Sequence, residues 1–308
     1  MNGPMDEVSR KAFSKVNLTL RVLGKRQDGY HEVSTVMVPV SLHDVLTFRP
    51  GGEGLSVICP GLPDLLTKDN LVTKAAQAVL DVSGSSLDLT ITVEKAIPAG
   101  GGMGGGSSDA AATLLSVNEC LPEEKRLRPG RLLKVAATIG SDVPFFLGCN
   151  SAPPAWTEAV CTGTGADVMP LPKGKVFDLV LALPGFSVNT AQAYKDWDTL
   201  GRAAGDDGEA MEQDVLRALQ SGDSAALALC LVNDLEAPVS LRHPAISALK
   251  RRMMQCGALG ASMTGSGSAV YGVCRSKEHA AEVKLRMQSF VQEFDLKGLI
   301  ALRTGCEV

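Results

Sequence analysis

The sequence predicts an α+β protein of two domains, because segments with strand-like and helix-like patterns are mixed along a long chain. The chain has 308 residues, which is long for one simple domain and sufficient for two. Its residues are 45% hydrophobic and 21% charged, as in an ordinary globular protein. Loop-forming residues concentrate between residues 150 and 175. We therefore predict an N-terminal domain at residues 1–170 and a C-terminal domain at residues 171–308.

Alternation of apolar and polar residues predicts the strands of the first half. Residues 16–23 alternate in this way and lead into a polar turn at residues 24–29. Further strands are predicted at residues 33–40, 45–48 and 87–93.

Helical spacing predicts two helices in the first half, at residues 71–80 and 132–139. Asp69 or Asn70 is placed to cap the first of them. The second half is predicted to contain, in order, a strand at 177–183, an exposed and mobile loop at 201–208, a helical region at 211–233, a helix at 245–256 and a strand at 269–274.

Composition and charge argue against several classes of protein. A net charge of −4 and a pI near 5.7 disfavour a dedicated nucleic-acid surface. The eight cysteines are scattered without a CxxC pair, which disfavours zinc and fits buried thiols in a reducing compartment. No apolar run approaches a membrane span, and the N-terminus lacks the pattern of a signal or transit peptide. We therefore expect a cytoplasmic protein that binds neither nucleic acid nor membrane, with no obligate protein partner evident.

The most unusual segment contains six glycines between Gly100 and Gly106 and runs directly into an Ala/Leu-rich helix. Ser107 or Ser108 is predicted to cap that helix. Glycine lets the backbone approach a ligand closely, and a helix N-terminus offers N–H groups and partial positive charge. The segment therefore predicts a phosphate-binding loop, with a flexible linker as the alternative. The dinucleotide fingerprint lacks its acidic residue, Walker A lacks its Lys-Ser/Thr, and the protein-kinase motifs are missing.

Three segments together resemble the motifs of the GHMP kinases, a family named for galactose, homoserine, mevalonate and phosphomevalonate kinases. Residues 98–111 resemble the phosphate loop of that family, residues 14–18 its N-terminal motif, and residues 263–268 its C-terminal motif. The resemblance implies an N-terminal domain of the ribosomal-protein-S5-domain-2-like type and a C-terminal GHMP-type α/β domain. It also implies an active site in the cleft between the domains.

Two further segments select a group within that family. Residues 21–33 and residues 140–147 are similar to stretches of the kinases that act on diphosphocytidyl-methylerythritol. The resemblance implies phosphorylation of the 2-hydroxyl group of this cytidine diphosphate compound in the non-mevalonate route to isoprenoids. ATP would be the phosphoryl donor, with Mg²⁺ held through ATP and Ser108 as a candidate protein ligand.

The same resemblance implies a role for each candidate residue. Asp142 would be the catalytic base, and Lys15 would orient it and support the developing alkoxide. The residues implied in binding the cytidine compound are Asn17, Tyr30, His31, Thr190 and Tyr194. The residues implied in binding ATP are Pro98, Ala99, Gly100, Gly101, Gly102, Met103, Gly104, Gly105, Gly106, Ser107 and Ser108.

Three of these residues also have a structural alternative. Asp142 could be a turn or cap residue, Lys15 could face solvent, and Asn17 could be a structural amide. Asp109 close to a phosphate loop suggests a nearby cation, which we assign to Mg²⁺.

Two other functions compete with this assignment. Another GHMP kinase, of the homoserine or mevalonate type, is disfavoured by the sequence Asp28-Gly29-Tyr30-His31. A non-catalytic ligand sensor on the same fold is disfavoured because it would need neither Lys15 nor Asp142.

Overall fold

The computed structural model describes residues 7–61, 70–201 and 208–306. Asp69, one of the two predicted caps, and most of the predicted loop at 201–208 lie outside these residues. The chain divides into two compact units, and neither is continuous in sequence. The first unit comprises residues up to Ser14, Leu42–Ile97 and Gly104–Ala155, and the second comprises Lys15–Ser41, Pro98–Met103 and the chain from Trp156 onward. The domain boundary predicted near residue 170 stays a prediction.

Two long strands, β1 (Val8–Lys25) and β2 (His31–Pro50), contribute residues to both units. The sequence predicted two strands where β2 is one. Three polar residues, Ser41, His43 and Asp44, interrupt the hydrophobic pattern without ending the extended backbone. Asp44 explains part of this, because its side chain is fully buried and accepts hydrogen bonds from the backbone N–H groups of Ala96 and Ile97.

The first unit combines strands with four helices among its described residues. Its antiparallel pair joins residues 45–50 of β2 to β4, and β3 lies parallel to β4 on the other side. Helix α1 is capped by Asn70, whose Oδ1 accepts from Val72 N at 2.8 Å, and it ends at Gly84 in the left-handed conformation. The elements are β3 (Leu55–Ile58), α1 (Leu71–Ser83), β4 (Leu89–Glu94), α2 (Gly105–Cys120), α3 (Pro129–Ile139) and α4 (Val143–Cys149).

The second unit contains a four-stranded antiparallel sheet in the order β11-β7-β10-β9. In the same unit, residues 35–37 of β2 pair with β5, β5 pairs with β6, and residues 19–20 of β1 run parallel to β8. The elements are β5 (Ala159–Thr162), β6 (Asp167–Pro170), β7 (Asp178–Pro184), α5 (Thr190–Leu200), α6 (Gly208–Ser221), α7 (Ser224–Leu229), β8 (Val232–Asn233), α8 (Glu236–Arg242), α9 (Ala245–Gln255), β9 (Gly260–Met263), β10 (Val270–Cys274), α10 (Lys277–Met287) and β11 (Leu296–Arg303).

The core of the second unit lies between this sheet and its helices. Val180 and Val270 of the sheet pack in one buried cluster with Trp197 of α5, Ile246 of α9 and Val283 of α10. Burial of such apolar side chains is the main stabilising contribution, at about 25 cal/mol per Å² removed from water. None of the helices among residues 7–61, 70–201 and 208–306 is long and apolar enough to cross a bilayer.

The predicted helical region at 211–233 is interrupted in the structure. Helix α6 ends at Ser221, and Asp223 then begins α7 by accepting hydrogen bonds from the backbone N–H groups of Ala225 and Ala226. Gly222 between them adopts a φ of +78°, which favours glycine and ends the first helix.

Candidate active site

Strand β1 carries a lysine into the interior of the second unit. Lys15 is 2% exposed, and Asn17 follows on the same face of the strand. The Lys15 ammonium donates to Asn17 Oδ1 at 2.6 Å and to the backbone oxygen of Gly102 at 2.7 Å. A buried ammonium is costly unless its protons have acceptors, so these bonds hold Nζ at a defined position. The alternative of a solvent-facing lysine is therefore wrong.

The side-chain amide of Asn17 joins two of the predicted motifs. Its Oδ1 accepts from Gly265 N at 2.9 Å and from Thr264 Oγ1 at 3.2 Å, in addition to the Lys15 ammonium. Its Nδ2 donates to Thr35 Oγ1 at 2.8 Å. Asn17 thus has a structural role in the protein as it stands, and its contact with substrate stays a prediction.

The first part of the glycine segment, residues 98–103, packs against the C-terminal motif in the same unit. The backbone oxygen of Gly101 accepts from Ala269 N at 3.3 Å. Gly102 adopts a φ of +73°, and a Cβ built on it would lie 2.3 Å from the backbone oxygen of Thr264. Glycine is therefore required at residue 102 for both conformation and space.

The second part of the segment, residues 104–108, begins α2 in the first unit. Gly104 is the N-cap residue with a φ of +72°. A Cβ on Gly104 would lie 2.6 Å from Cε2 of Phe146 and 3.4 Å from Oδ2 of Asp142. The first N–H groups of a helix have no partner within it, so α2 presents donors suited to a phosphate.

The predicted capping of α2 by Ser107 or Ser108 is wrong. The helix begins earlier, at Gly105, because Gly104 in the left-handed conformation turns the chain into it without a side-chain cap. Ser108 is fully buried within the helix, and its hydroxyl accepts from Asn150 Nδ2 at 3.0 Å. Ser107 is partly exposed, so it is the more accessible of the two hydroxyl groups.

Asp142 occupies the N-cap position of α4, yet its side chain makes no capping hydrogen bond. The side chain therefore does not cap α4, and the alternative of a turn residue is not tested by this observation. Since a Cβ on Gly104 would approach its carboxylate, Asp142 lies beside the start of α2. The structure thus brings the predicted base to the second part of the glycine segment within the first unit.

A buried cluster of charged residues lies next to the second part of the glycine segment, and the sequence did not predict it. The Lys95 ammonium donates to Asp109 Oδ2 at 2.7 Å and forms a short contact with Asp44 Oδ2. We call these three residues the Lys95 cluster, and all of them belong to the first unit. A Cβ on Gly105 would lie 3.5 Å from the Lys95 nitrogen, so the cluster is close to the start of α2. The Lys95 ammonium therefore supplies a cation beside Asp109, and Mg²⁺ near this residue stays a prediction.

The two carboxylates of the Lys95 cluster differ in their surroundings. Asp44 accepts two backbone hydrogen bonds, whereas Oδ1 of Asp109 is buried without a hydrogen-bond partner in the described part of the chain. Burial raises the pKa of Asp109 to about 7, and the attraction of Lys95 opposes this only in part. For Lys95, burial acts to lower the pKa, but the two carboxylates outweigh it and the net pKa is raised.

An aromatic cluster in the second unit surrounds His31. The His31 ring stacks on Tyr194 with centroids 4.8 Å apart and lies edge-to-face with Trp197 at 5.9 Å. Its Nε2 is 2.7 Å from Oδ1 of Asp198. The structure therefore brings the predicted residues His31 and Tyr194 together, and it adds Trp197 and Asp198, which the sequence did not indicate. We call these four residues the His31 cluster.

Two other predicted substrate residues are accessible in the same unit. Tyr30 is 64% exposed in a turn closed by its N–H group, which donates to Asp28 Oδ1 at 3.1 Å. Thr190 begins α5, and its hydroxyl is 2.8 Å from that of Ser266 in the C-terminal motif. Both side chains are therefore available to a ligand, and their roles stay predictions.

Comparison with protein-family models finds two matches along the chain. The model described as the GHMP kinases N-terminal domain matches residues 70–149, and the GHMP kinases C-terminal model matches residues 190–293.

Full-length relatives and solved structures agree with these matches. The 4-diphosphocytidyl-2-C-methyl-D-erythritol kinase of Pelotomaculum thermopropionicum is 40% identical over 91% of this chain and 93% of its own. The enzyme of the same name from Moorella thermoacetica is 38% identical over 94% and 98%. A crystal structure of 4-(cytidine 5'-diphospho)-2C-methyl-D-erythritol kinase superposes with a TM-score of 0.77 at 32% identity, covering 97% of this chain and 99% of that one. A homoserine kinase structure from Cytophaga hutchinsonii, with a TM-score of 0.71 at 18% identity over 99% and 96%, shares the fold.

Proposed function

We propose that the protein phosphorylates the 2-hydroxyl group of 4-diphosphocytidyl-2-C-methyl-D-erythritol, because the chain belongs to the GHMP kinases and, among them, to the kinases of that cytidine diphosphate compound. The predicted α+β fold of two GHMP kinase domains and the predicted family are confirmed. The protein is a kinase of this family and uses ATP. The site of phosphorylation, the residue roles and Mg²⁺ are part of the proposal.

The observation that carries the proposal is the hydrogen-bonded network around Lys15. Within one unit, Lys15 and Asn17 of the N-terminal motif bond to Gly102 of the glycine segment and to Gly265 of the C-terminal motif. Three segments far apart in sequence are therefore joined by hydrogen bonds through Lys15 and Asn17. A protein that only needed the fold would have little reason to bury a lysine at the point where these three motifs join.

The reaction is a transfer of the γ-phosphoryl group. The substrate hydroxyl oxygen bonds to the γ-phosphorus, the bond to the oxygen of ADP breaks, and the hydroxyl proton passes to the Asp142 carboxylate. Lys15 supports negative charge on the attacking oxygen. The backbone N–H groups at the start of α2 bind the ATP phosphates.

The residues around the glycine segment fit a metal that is held mainly by ATP. No group of three or more His, Cys, Asp and Glu side chains able to hold a metal occurs among the described residues. Ser108 is already bonded to Asn150, and the Oδ2 of Asp109 to Lys95. Ser107, not Ser108, is therefore the residue we propose as a protein ligand. When bound, Mg²⁺ neutralises charge on the transferred phosphoryl group.

The cytidine end of the substrate is assigned to the His31 cluster and Tyr30. Tyr30 is exposed enough to stack on a base, and His31 offers a ring nitrogen for hydrogen bonding. Tyr194 stacks on His31 itself, so its support of the base is proposed to act through that ring.

The test is an ADP-release assay with ATP, Mg²⁺ and 4-diphosphocytidyl-2-C-methyl-D-erythritol, run beside homoserine and mevalonate. We expect turnover with the cytidine compound alone and a product phosphorylated on the 2-hydroxyl group. Asp142→Asn should lower kcat by roughly 10²–10⁴-fold because the proton acceptor is lost while the shape is kept.

Asp214→Asn, an exposed aspartate on α6, is the matched control and should keep the wild-type kcat. Turnover with homoserine or mevalonate in place of the cytidine compound would overturn the substrate assignment. An Asp142→Asn variant that retains a third or so of wild-type kcat would remove Asp142 from the mechanism.

A further inference from the structure

Helix α5 holds the ring of His31 with three side chains at helical spacing. Tyr194, Trp197 and Asp198 stand at positions i, i+3 and i+4, so they share one face of the helix. Two of them contact the ring by stacking and by an edge-to-face contact, and the third contacts Nε2 at 2.7 Å. The plane and the edge of the imidazole are therefore both fixed by this helix.

We propose that Asp198 is a positioning residue that sets the tautomer of His31, so that Nδ1 presents a hydrogen-bond acceptor to the exocyclic amino group of a cytosine base. The inference rests on the proposed function and extends it from the identity of the substrate to how its base is read.

The chemistry of a carboxylate carries the first step. An ionised carboxylate only accepts hydrogen bonds, so the nitrogen that faces it must carry the proton. In a neutral imidazole the other nitrogen is then an acceptor. No group among residues 7–61, 70–201 and 208–306 is hydrogen-bonded to Nδ1 of His31, which leaves its lone pair for a ligand.

The surroundings of Asp198 keep it in the required ionised form. Its Oδ2 is 3.0 Å from the Lys25 ammonium, while its Oδ1 faces His31. Partial burial acts to raise the pKa of Asp198, but the hydrogen bonds from His31 and Lys25 outweigh it and the net pKa is lowered. Asp198 therefore remains an acceptor under ordinary conditions.

The second step is the difference between cytosine and uracil. At the ring position concerned, cytosine carries an amino group that donates, and uracil carries a carbonyl oxygen that accepts. An acceptor nitrogen on His31 would accept a hydrogen bond from the amino group of cytosine and would repel the carbonyl oxygen of uracil. Two bases of the same size and stacking surface are then separated by one hydrogen bond, and the wrong base leaves a polar group unpaired.

The test uses Asp198→Asn, because an amide can donate to Nε2 as well as accept from it and no longer fixes the tautomer. We expect the ratio of kcat/KM for the cytidine substrate to that for its uridine analogue to fall at least about tenfold, with the KM for ATP unchanged. The change should lie mainly in KM, since no reacting group is altered. The ¹⁵N spectrum of the His31 ring should show a shift away from the Nε2-protonated form.

Two variants sharpen the result. Asp196→Asn lies on the same helix with its carboxylate bound to Arg242, and it should leave both the ratio and the His31 spectrum unchanged. Asp198→Glu retains a carboxylate and should keep most of the cytidine preference.

The outcomes separate the two proposals. A wild-type protein that treats the cytidine and uridine compounds alike overturns this inference, and one that phosphorylates neither overturns the proposed function. A wild-type preference for cytidine that survives unchanged in Asp198→Asn, or an unchanged His31 tautomer in that variant, overturns the inference alone.

Discussion

The Lys95 cluster and the His31 cluster each contain an aspartate close to predicted ligand-binding residues, but the charges around the two aspartates are arranged in opposite ways. Asp109 shares one ammonium with a second carboxylate, whereas Asp198 is one carboxylate shared by an imidazole and an ammonium. The pKa of Asp109 is accordingly raised, chiefly by burial, and that of Asp198 is lowered by its two partners. The same residue type thus serves as a buried proton-binding group in one unit and as a fixed negative charge in the other.

The largest expected effect follows from removing the cation of the Lys95 cluster. Lys95→Met leaves the Asp44 and Asp109 carboxylates buried without their ammonium, which should lower the free energy of unfolding by about 3–5 kcal/mol near pH 8. Urea denaturation measures this. Adding Asp109→Asn to Lys95→Met should restore part of the loss, because only one carboxylate then remains. No recovery in the double variant would contradict the shared-ammonium interpretation.

The raised pKa of Asp109 predicts a pH dependence with a definite sign. The folded protein keeps a proton that the unfolded chain releases between about pH 4 and pH 7, so Asp109 makes the wild type less stable as pH rises through that window. The slope from this group is at most about 1.4 kcal/mol per pH unit. Asp109→Asn should lack this component in denaturation curves measured from pH 4 to 8, whereas Asp214→Asn should retain it. Parallel curves for Asp109→Asn and the wild type would refute the assignment.

Asp198 should behave in the opposite way. The pKa of Asp198 is lower in the folded protein than in the unfolded chain, where it is about 4. Asp198 therefore stabilises the folded protein above about pH 4, and this stabilisation is lost as the pH falls through the pKa of the folded protein. Asp198→Asn should therefore be less stable than the wild type by about 1 kcal/mol near pH 7. The two proteins should converge in stability in thermal unfolding measured below about pH 4, and a constant difference at all pH values would contradict the prediction.

The smallest effect is expected at the exposed member of this arrangement. The Lys25 side chain is 58% exposed, so its ion pair with Asp198 should contribute no more than about 0.5 kcal/mol. Lys25→Met should change the free energy of unfolding by that amount at low salt and by less in high salt. A decrease in the free energy of unfolding as large as that of Lys95→Met would show that burial does not explain the difference between the two lysines.

The sequence indicated the glycine segment and the residues of its motifs because their composition is unusual. Six glycines before a helix have few structural explanations, and Lys15 and Asn17 belong to a recognisable motif. The helix start was misplaced because a serine is a common cap, whereas the left-handed conformation of Gly104 is a property of the folded chain.

The supporting clusters could not be predicted in the same way. Lys95 lies 51 residues from Asp44 and 14 from Asp109, and each is an ordinary polar residue in its local sequence. The sequence did not indicate Trp197 and Asp198, because it did not predict helix α5. This helix buries only Ala193 and Trp197, so its sequence lacks a clear apolar face. Such contacts depend on pairing between distant segments, which local patterns do not encode.

The network around Asn17 also bears on how the protein is made. The Thr264 hydroxyl and the Tyr271 hydroxyl bond to Asn17 across separations of 247 and 254 residues. On the ribosome, which adds residues from the N-terminus onward, β1 emerges long before either partner exists. Part of β1 must therefore wait, with its polar groups solvated or held by other contacts, until most of the chain has been synthesised. Contacts of such long range are typical of slow folding. Truncation before the C-terminal motif would thus release nascent chains in which Asn17 never acquires its partners Thr264 and Tyr271.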